Sequence, residues 1–202
     1  MYYIIGENMI KRHPFDPVIF KESKKMLVGT LPPEKTDYFY SGSPQTRMWD
    51  ILRAIINNSS IPKESYKLPM SDKKQILKQL NISMFDIIFE YERTVIDSSK
   101  DVDIIPKKYS DINSLIKNTQ IDTLLFVYES AAQWFLHSMK NENPCKLKSI
   151  KDKTNLSKEI FWEYGLGGKN VRCILLPNPL NRGKKGVTLE KKKVLYEKYI
   201  KG

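Results

Sequence analysis

Cysteine is scarce in this sequence: Cys145 and Cys173 are the two present, and they stand in no CxxC pattern. A four-cysteine zinc or iron–sulfur centre is thereby excluded, and reduced thiols in a cytoplasmic protein are expected. Long apolar runs are missing as well. No stretch approaches the roughly 18 residues of a membrane helix, and the apolar part of the opening MYYIIGENMIKRHPF is too short for a secretion signal. Histidine is rare, and His13 and His137 each read as structural or exposed, apart from any site. Acidic residues are outnumbered, 23 Asp plus Glu against 34 Lys plus Arg, which leaves a formal charge of +11. That balance favours a polyanionic partner, nucleic acid before an anionic membrane surface. A lysine-rich genome would spread the same charge over a surface with no partner at all.

What is present is an ordinary apolar fraction, 41% of 202 residues, enough for one domain spanning 1–202 with a real core. Four short apolar runs read as strands: 26–31, 82–89, 123–128 and 171–176. The runs MLVGTL, TLLFVY and VRCILL are nearly continuous in apolar residues, as strands buried on both faces of a parallel sheet must be. Helical patterns fall between them. Ser43-Pro44 reads as the cap and first residue of a helix carrying Met48, Ile51, Leu52, Ile55 and Ile56. Ser71-Asp72, Ser110-Asp111 and Ser130 open three more. Thr188 opens a terminal one whose Leu189, Val194, Leu195, Tyr196 and Ile200 are expected to pack inward. The segment 140–169 reads as a polar excursion. No internal repeat or low-complexity linker is visible. Alternating strands and helices predict a three-layer α/β/α domain around a central, mainly parallel four-stranded sheet.

In such a fold the ligand crevice lies beyond the carboxyl ends of the strands. Four polar segments collect there: GTLPPEKTDYFYSGSPQTRMW after the first strand, EYERTVIDSSKD, Glu129-Ser130, and PNPLNRGKKG after the last. The first and last resemble motifs of the uracil-DNA glycosylase superfamily, and are most similar to its DNA-deoxyinosine (hypoxanthine-DNA) and mismatch-specific branches. Those proteins follow an early strand with a Gly-x-x-Pro loop, an aromatic pair and a helix bearing an early Arg and Trp. A second motif, His-Pro-Ser-Pro-Leu or a related string, follows their last strand.

The resemblance implies DNA as partner, in duplex form with one base flipped out, and a monomeric enzyme with no metal, cofactor or membrane. A flipped base must be held in a snug pocket. Gly29, Thr30, Leu31, Phe39, Tyr40 and Asp86 are the candidates to line it, with Phe39 and Tyr40 stacking on the base. An ionised Asp86 would accept hydrogen bonds from a base edge, or else cap the turn that follows it. Pro32, Pro33 and Arg47 are placed by the resemblance against the DNA backbone. Leu180 falls where an apolar wedge would replace the extruded base. Asn181, Arg182, Lys184 and Lys185 follow as a phosphate grip.

The likeness has gaps at the catalytic positions. The usual water-activating Asp or Asn is Leu31, the Asn expected before Arg-x-Trp is Thr46, and the second-motif His is Leu176. Cleavage of an N-glycosidic bond leaves negative charge on the base and positive charge on the sugar, so a carboxylate near the sugar is wanted. Glu34 is the first candidate and Asp37 the second, with Thr46 and Asn178 as groups able to orient water or touch phosphate. The expected function is removal of a damaged, deaminated or modified base, such as one in phage DNA, leaving an abasic site. The alternative is a DNA-binding module of the same fold that has lost its chemistry.

Overall fold

The computed structural model describes residues 10–32, 46–63, 68–95, 98, 100–139, 160–166, 168–180 and 187–202. Among them the chain runs β1 (Lys11–Arg12), β2 (Lys25–Gly29), α1 (Met48–Ile56), α2 (Met70–Leu80), β3 (Ile82–Asp86) and β4 (Ile88–Arg93). A 3-10 turn (Asp101–Asp103) then leads to β5 (Ile104–Tyr109), α3 (Ile112–Lys117), β6 (Thr123–Phe126) and α4 (Glu129–Ser138). The chain ends with β7 (Ile160–Leu166), β8 (Lys169–Leu175) and α5 (Leu189–Lys201).

The central sheet has the order β3-β2-β6-β8-β7. Its first four members are parallel, in the registers Lys25↔Ile82, Lys25↔Thr123 and Thr123↔Arg172. They are the four runs singled out in the sequence. Successive side chains point to opposite faces, and this alternation divides the core in two. Met26, Val28, Leu124, Phe126, Val171 and Cys173 pack with α3 and α4 residues such as Ile112, Ala131 and Phe135. Leu27, Leu125, Ile174 and Leu176 pack with Ile51, Leu52, Leu77, Tyr196 and Ile200 of α1, α2 and α5. Helices on both faces explain why these strands carry almost no polar residues. The three-layer α/β/α architecture follows directly.

Three features differ from the sequence expectation. The run 82–89 is broken after Asp86, where Ile87 still donates its N–H to the Gly29 carbonyl (3.1 Å). Beyond it β4 leaves for a separate antiparallel sheet of order β1-β4-β5. The expected excursion 140–169 contains β7, an antiparallel edge strand paired to β8 from Ile160↔Leu175 to Leu166↔Lys169. The turn residue Gly168 has φ +80°, which glycine adopts without strain. In α5 the inward stripe is Lys192, Tyr196 and Ile200, whereas Val194 is 64% exposed. Spacing by four carries Lys192 inward, and its ammonium meets the Leu180 carbonyl at 2.8 Å. Burial lowers its pKa.

Helix starts are close to those predicted. Asp111 caps α3 by accepting from the Ser114 N–H, and Thr188 caps α5 through Lys191. At α4 the cap position is Tyr128, so Ser130 lies inside the first turn. Ser43 and Pro44 lie outside the described residues. No helix among the described residues is long and apolar enough to cross a membrane.

The α5 arrangement makes a prediction. Lys192→Met leaves the Leu180 carbonyl without its donor and should cost about 1–3 kcal/mol in urea unfolding. Val194→Lys, on the exposed side, should stay within about 0.5 kcal/mol of the parent.

Candidate functional site

Strand β2 has parallel neighbours on both sides, β3 and β6, so strand order reverses there. A crevice opens outside the carboxyl ends at such a reversal. Gly29 ends β2 directly beside Asp86, the last residue of β3. A Cβ on Gly29 would lie 2.1 Å from Asp86 Oδ1, so only glycine lets this carboxylate settle over the strand end. Thr30, Leu31 and Pro32 follow, all buried, and Leu31 belongs to the core beneath α3 and α4.

Asp86 is 5% exposed and held from the far side by His13, whose Nε2 stands 3.0 Å from its Oδ2. His13 Nδ1 lies 2.7 Å from the Phe15 carbonyl. Burial alone would lower the His13 pKa, but the hydrogen bond and charge of Asp86 and the Phe15 carbonyl outweigh it, and the net shift is upward. Donation from Nε2 to Asp86 fits that shift, while Nδ1 lies within reach of both the Phe15 carbonyl and, at 3.1 Å, the Phe15 N–H. The expectation that His13 is unrelated to the site is therefore corrected. Nothing local in the sequence could link two residues 73 positions apart. In the structure Asp86, a candidate base-edge acceptor or turn cap, is engaged by this salt bridge and packs on Gly29.

A second carboxylate stands over the reversal. Asp101, in the 3-10 turn after β4, accepts a hydrogen bond from the Ser130 hydroxyl, and the Thr30 hydroxyl is near enough to favour its charged form. Thr30 belongs to the end of β2, and Ser130 to the first turn of α4 after β6. Burial raises the Asp101 pKa above its ordinary value; the two hydroxyls pull it back, Asp86 pushes it up, and Arg93 pulls it down. Unlike Asp86, Asp101 is only half-buried. The sequence reading brought EYERTVIDSSKD to this rim without singling out its last residue. Arg93 ties the rim together, donating to the carbonyls of Ser98 (2.6 Å) and Pro32 (3.1 Å). An ion-pair cluster of Glu90, Glu92 and Arg93 is not what forms. Glu90 pairs with Arg12 and Glu92 with Lys107.

The two motif loops meet at the same rim. Thr46 and Leu180 form an antiparallel bridge, and the Arg47 N–H donates to the Pro179 carbonyl at 2.9 Å. Tyr196, fully buried, donates its hydroxyl to the Pro177 carbonyl (3.1 Å). The Asn178 side-chain oxygen turns back to accept from the Leu180 N–H (2.9 Å). Thr46 is buried, Leu180 half-buried and Asn178 exposed.

Two DNA-backbone assignments need correction. Arg47 is 3% exposed, and its guanidinium is used by Asp50 Oδ2 at 2.6 Å and by the carbonyls of Pro62 and Lys63. It locks the start of α1 and does not reach a phosphate. Pro32 is buried, with its carbonyl on Arg93, and likewise faces inward. Pro33, Glu34, Asp37, Phe39, Tyr40, Asn181, Arg182, Lys184 and Lys185 lie outside the described residues. Among the described residues no three His, Cys, Asp or Glu side chains are grouped to hold a metal ion.

No family model matches this chain, and no curated protein does. Solved structures do match. One is the solution NMR structure of a candidate uracil DNA glycosylase from Methanosarcina acetivorans, with a TM-score of 0.58. The two chains are 17% identical, and the match covers 96% of this chain and 100% of the other. The shared property is the fold. It is a mixed α/β fold with a mostly parallel sheet.

Two outcomes are expected of the Gly29–Asp86–His13 contact. Gly29→Ala should cost about 1–3 kcal/mol, and less in an Asp86→Ala background, where the clash is gone. Because the His13 pKa is raised on folding, its stabilisation is complete below the ordinary value of 6.5 and is lost as pH rises through the folded-state value. Urea unfolding of parent and His13→Gln should therefore differ most below pH 6.5 and converge at higher pH. A gap that widens with pH would contradict the pair.

Proposed function

We propose that this protein is a DNA glycosylase that extrudes one base from duplex DNA and hydrolyses its N-glycosidic bond, leaving an abasic site. The observation that carries the reading is the joining of the described ends of the two motif segments, through Thr46–Leu180 and Arg47–Pro179. A base pocket and a wedge have to face the same nucleotide, and this junction brings the candidate segments for both together. The fold shared with the archaeal protein and the formal charge of +11 support the same reading.

The division of labour follows from the chemistry. Leu180 fills the gap left in the stack by the extruded base. Arg182, Lys184 and Lys185 hold phosphates beyond it. Phe39 and Tyr40 stack on the base. The substrate class is a damaged, deaminated or bulky modified base, of the kind met in repair or in defence against modified phage DNA.

The test is a panel of duplexes carrying uracil, hypoxanthine or a bulky modified pyrimidine, developed with hot alkali. Breaks at the modified position that require alkali are expected for at least one duplex. Tight duplex binding with no breaks on any substrate would instead favour a module that has lost its chemistry, a reading to which the apolar Leu31 at the strand end lends weight. Leu180→Ala should slow duplex processing at least about tenfold more than single-strand processing, because only the duplex must refill its stack. Replacing Lys184 and Lys185 together with Ala should reduce the salt slope of binding by about two.

A further inference from the structure

We propose that Asp101 is the carboxylate that faces the sugar of the extruded nucleotide, offsetting its positive charge and orienting the water that attacks it. The assignment rests on the glycosylase reading and adds to it a residue outside both motif loops.

The geometry favours this carboxylate over the alternatives among the described residues. The crevice lies between the ends of β2 and β6, and Asp101 is bonded by the Ser130 hydroxyl from the β6 bank, with Thr30 of the β2 bank close by. Leu31, at the strand end itself, is apolar and belongs to the core. Asp86 is sealed by Gly29 beneath it and His13 behind it. Of the two carboxylates at the strand ends, Asp101 is half-exposed and Asp86 is buried. The Ser130 hydroxyl holds one oxygen and leaves the carboxylate its remaining lone pairs, which can accept from a water. It also lies beside the first turn of α4, where the helix dipole favours an anion. The charged groups around it are Asp86 from β3, with His13 behind, and Arg93 from β4. Arg93 holds the turn in place through Pro32 and Ser98.

The reaction balances without any further reactant. The bond from C1′ to the base nitrogen breaks, and its electron pair leaves with the base. Water oxygen bonds to C1′, and the proton it sheds passes to the Asp101 carboxylate and then to solvent. The base anion takes its proton from solvent. Nearby anionic charge is worth most as the sugar becomes cationic, in a crevice from which water is partly excluded.

The experiment measures binding and does not depend on turnover. Two duplexes are compared, one with a cationic pyrrolidine abasic analogue and one with a neutral tetrahydrofuran analogue. The parent should prefer the cationic duplex by about tenfold or more, the effect of one close charge pair at a partly buried site. Asp101→Asn keeps the size and one acceptor oxygen for the Ser130 hydroxyl but removes the charge, and should reduce that preference to near unity. Ser130→Ala should lower the preference partially, and it serves if the Asn variant fails a thermal unfolding check. A parent with no preference, or an Asn variant that retains it, would overturn the assignment; so would an unchanged preference in Ser130→Ala where the Asn variant does not fold. A parent that cleaves no base but shows the Asp101-dependent preference would sink the glycosylase reading, and with it the water-orienting role, and leave only the placement of Asp101 beside the sugar. Cleavage with an Asp101-independent preference would do the reverse.

Discussion

The missing side chain of Gly29 is the constraint on which the rest of the rim depends. A methyl group there would occupy the space of Asp86 Oδ1, so the carboxylate would have to leave its place over the strand end. With the space free, the carboxylate folds over the end of β2 and presents its other oxygen to His13. His13 in turn anchors the N-terminal segment, whose Val18 exchanges two backbone hydrogen bonds of 2.8 Å with Met84. That pairing covers the outer edge of β3, an edge that would otherwise be open to other chains. The Ser110 hydroxyl on the Asp86 carbonyl fastens the end of β5 to the same point (2.8 Å). One glycine thus lets three separate segments converge on one strand end.

The second loop is organised by a different logic. Its carbonyls at Pro177, Pro179 and Leu180 accept from Tyr196, Arg47 and Lys192 respectively. Two of these donors come from α5 and one from the residue preceding α1, so the helical layer, together with the Asn178–Leu180 bond, holds the stretch Pro177–Leu180. A loop fixed in this way loses little conformational freedom when a partner docks. Burying Lys192 and Arg47 is costly unless each charge is bonded, and both are.

The layers of this fold were legible because they depend on local pattern. Nearly continuous apolar runs become strands buried on both faces, and capping residues such as Asp111 and Thr188 mark helix starts where the structure has them. The hairpin of β7 and β8 was also readable, since alternating aromatics followed by Gly167-Gly168 are its local signal, but lysines and asparagines upstream obscured it. Side-chain partners were not legible. The burial of Lys192 instead of Val194 is decided by the position of the Leu180 carbonyl. The inward turn of Arg47 is decided by Asp50 and by the carbonyls of Pro62 and Lys63. The roles of His13 and Asp101 depend on a packing that brings together residues far apart in the chain. A sequence shows which residues can carry charge; the fold decides which of them find a partner.

The central claim is that DNA is received at the carboxyl ends of β2 and β6. The opposite end of the sheet offers a rival, a groove lined by Lys24, Lys25, Arg172 and Lys198 together with Asp122 and Glu163. Hydrogen exchange of backbone amides, with and without a duplex containing a single abasic analogue, separates the two ends of the same strands. The account predicts slowed exchange at Thr30, Leu31, Ser130 and Leu180, with Lys25, Thr123 and Arg172 unchanged. Protection at Lys25, Thr123 and Arg172, with none at Thr30 or Leu180, would contradict it.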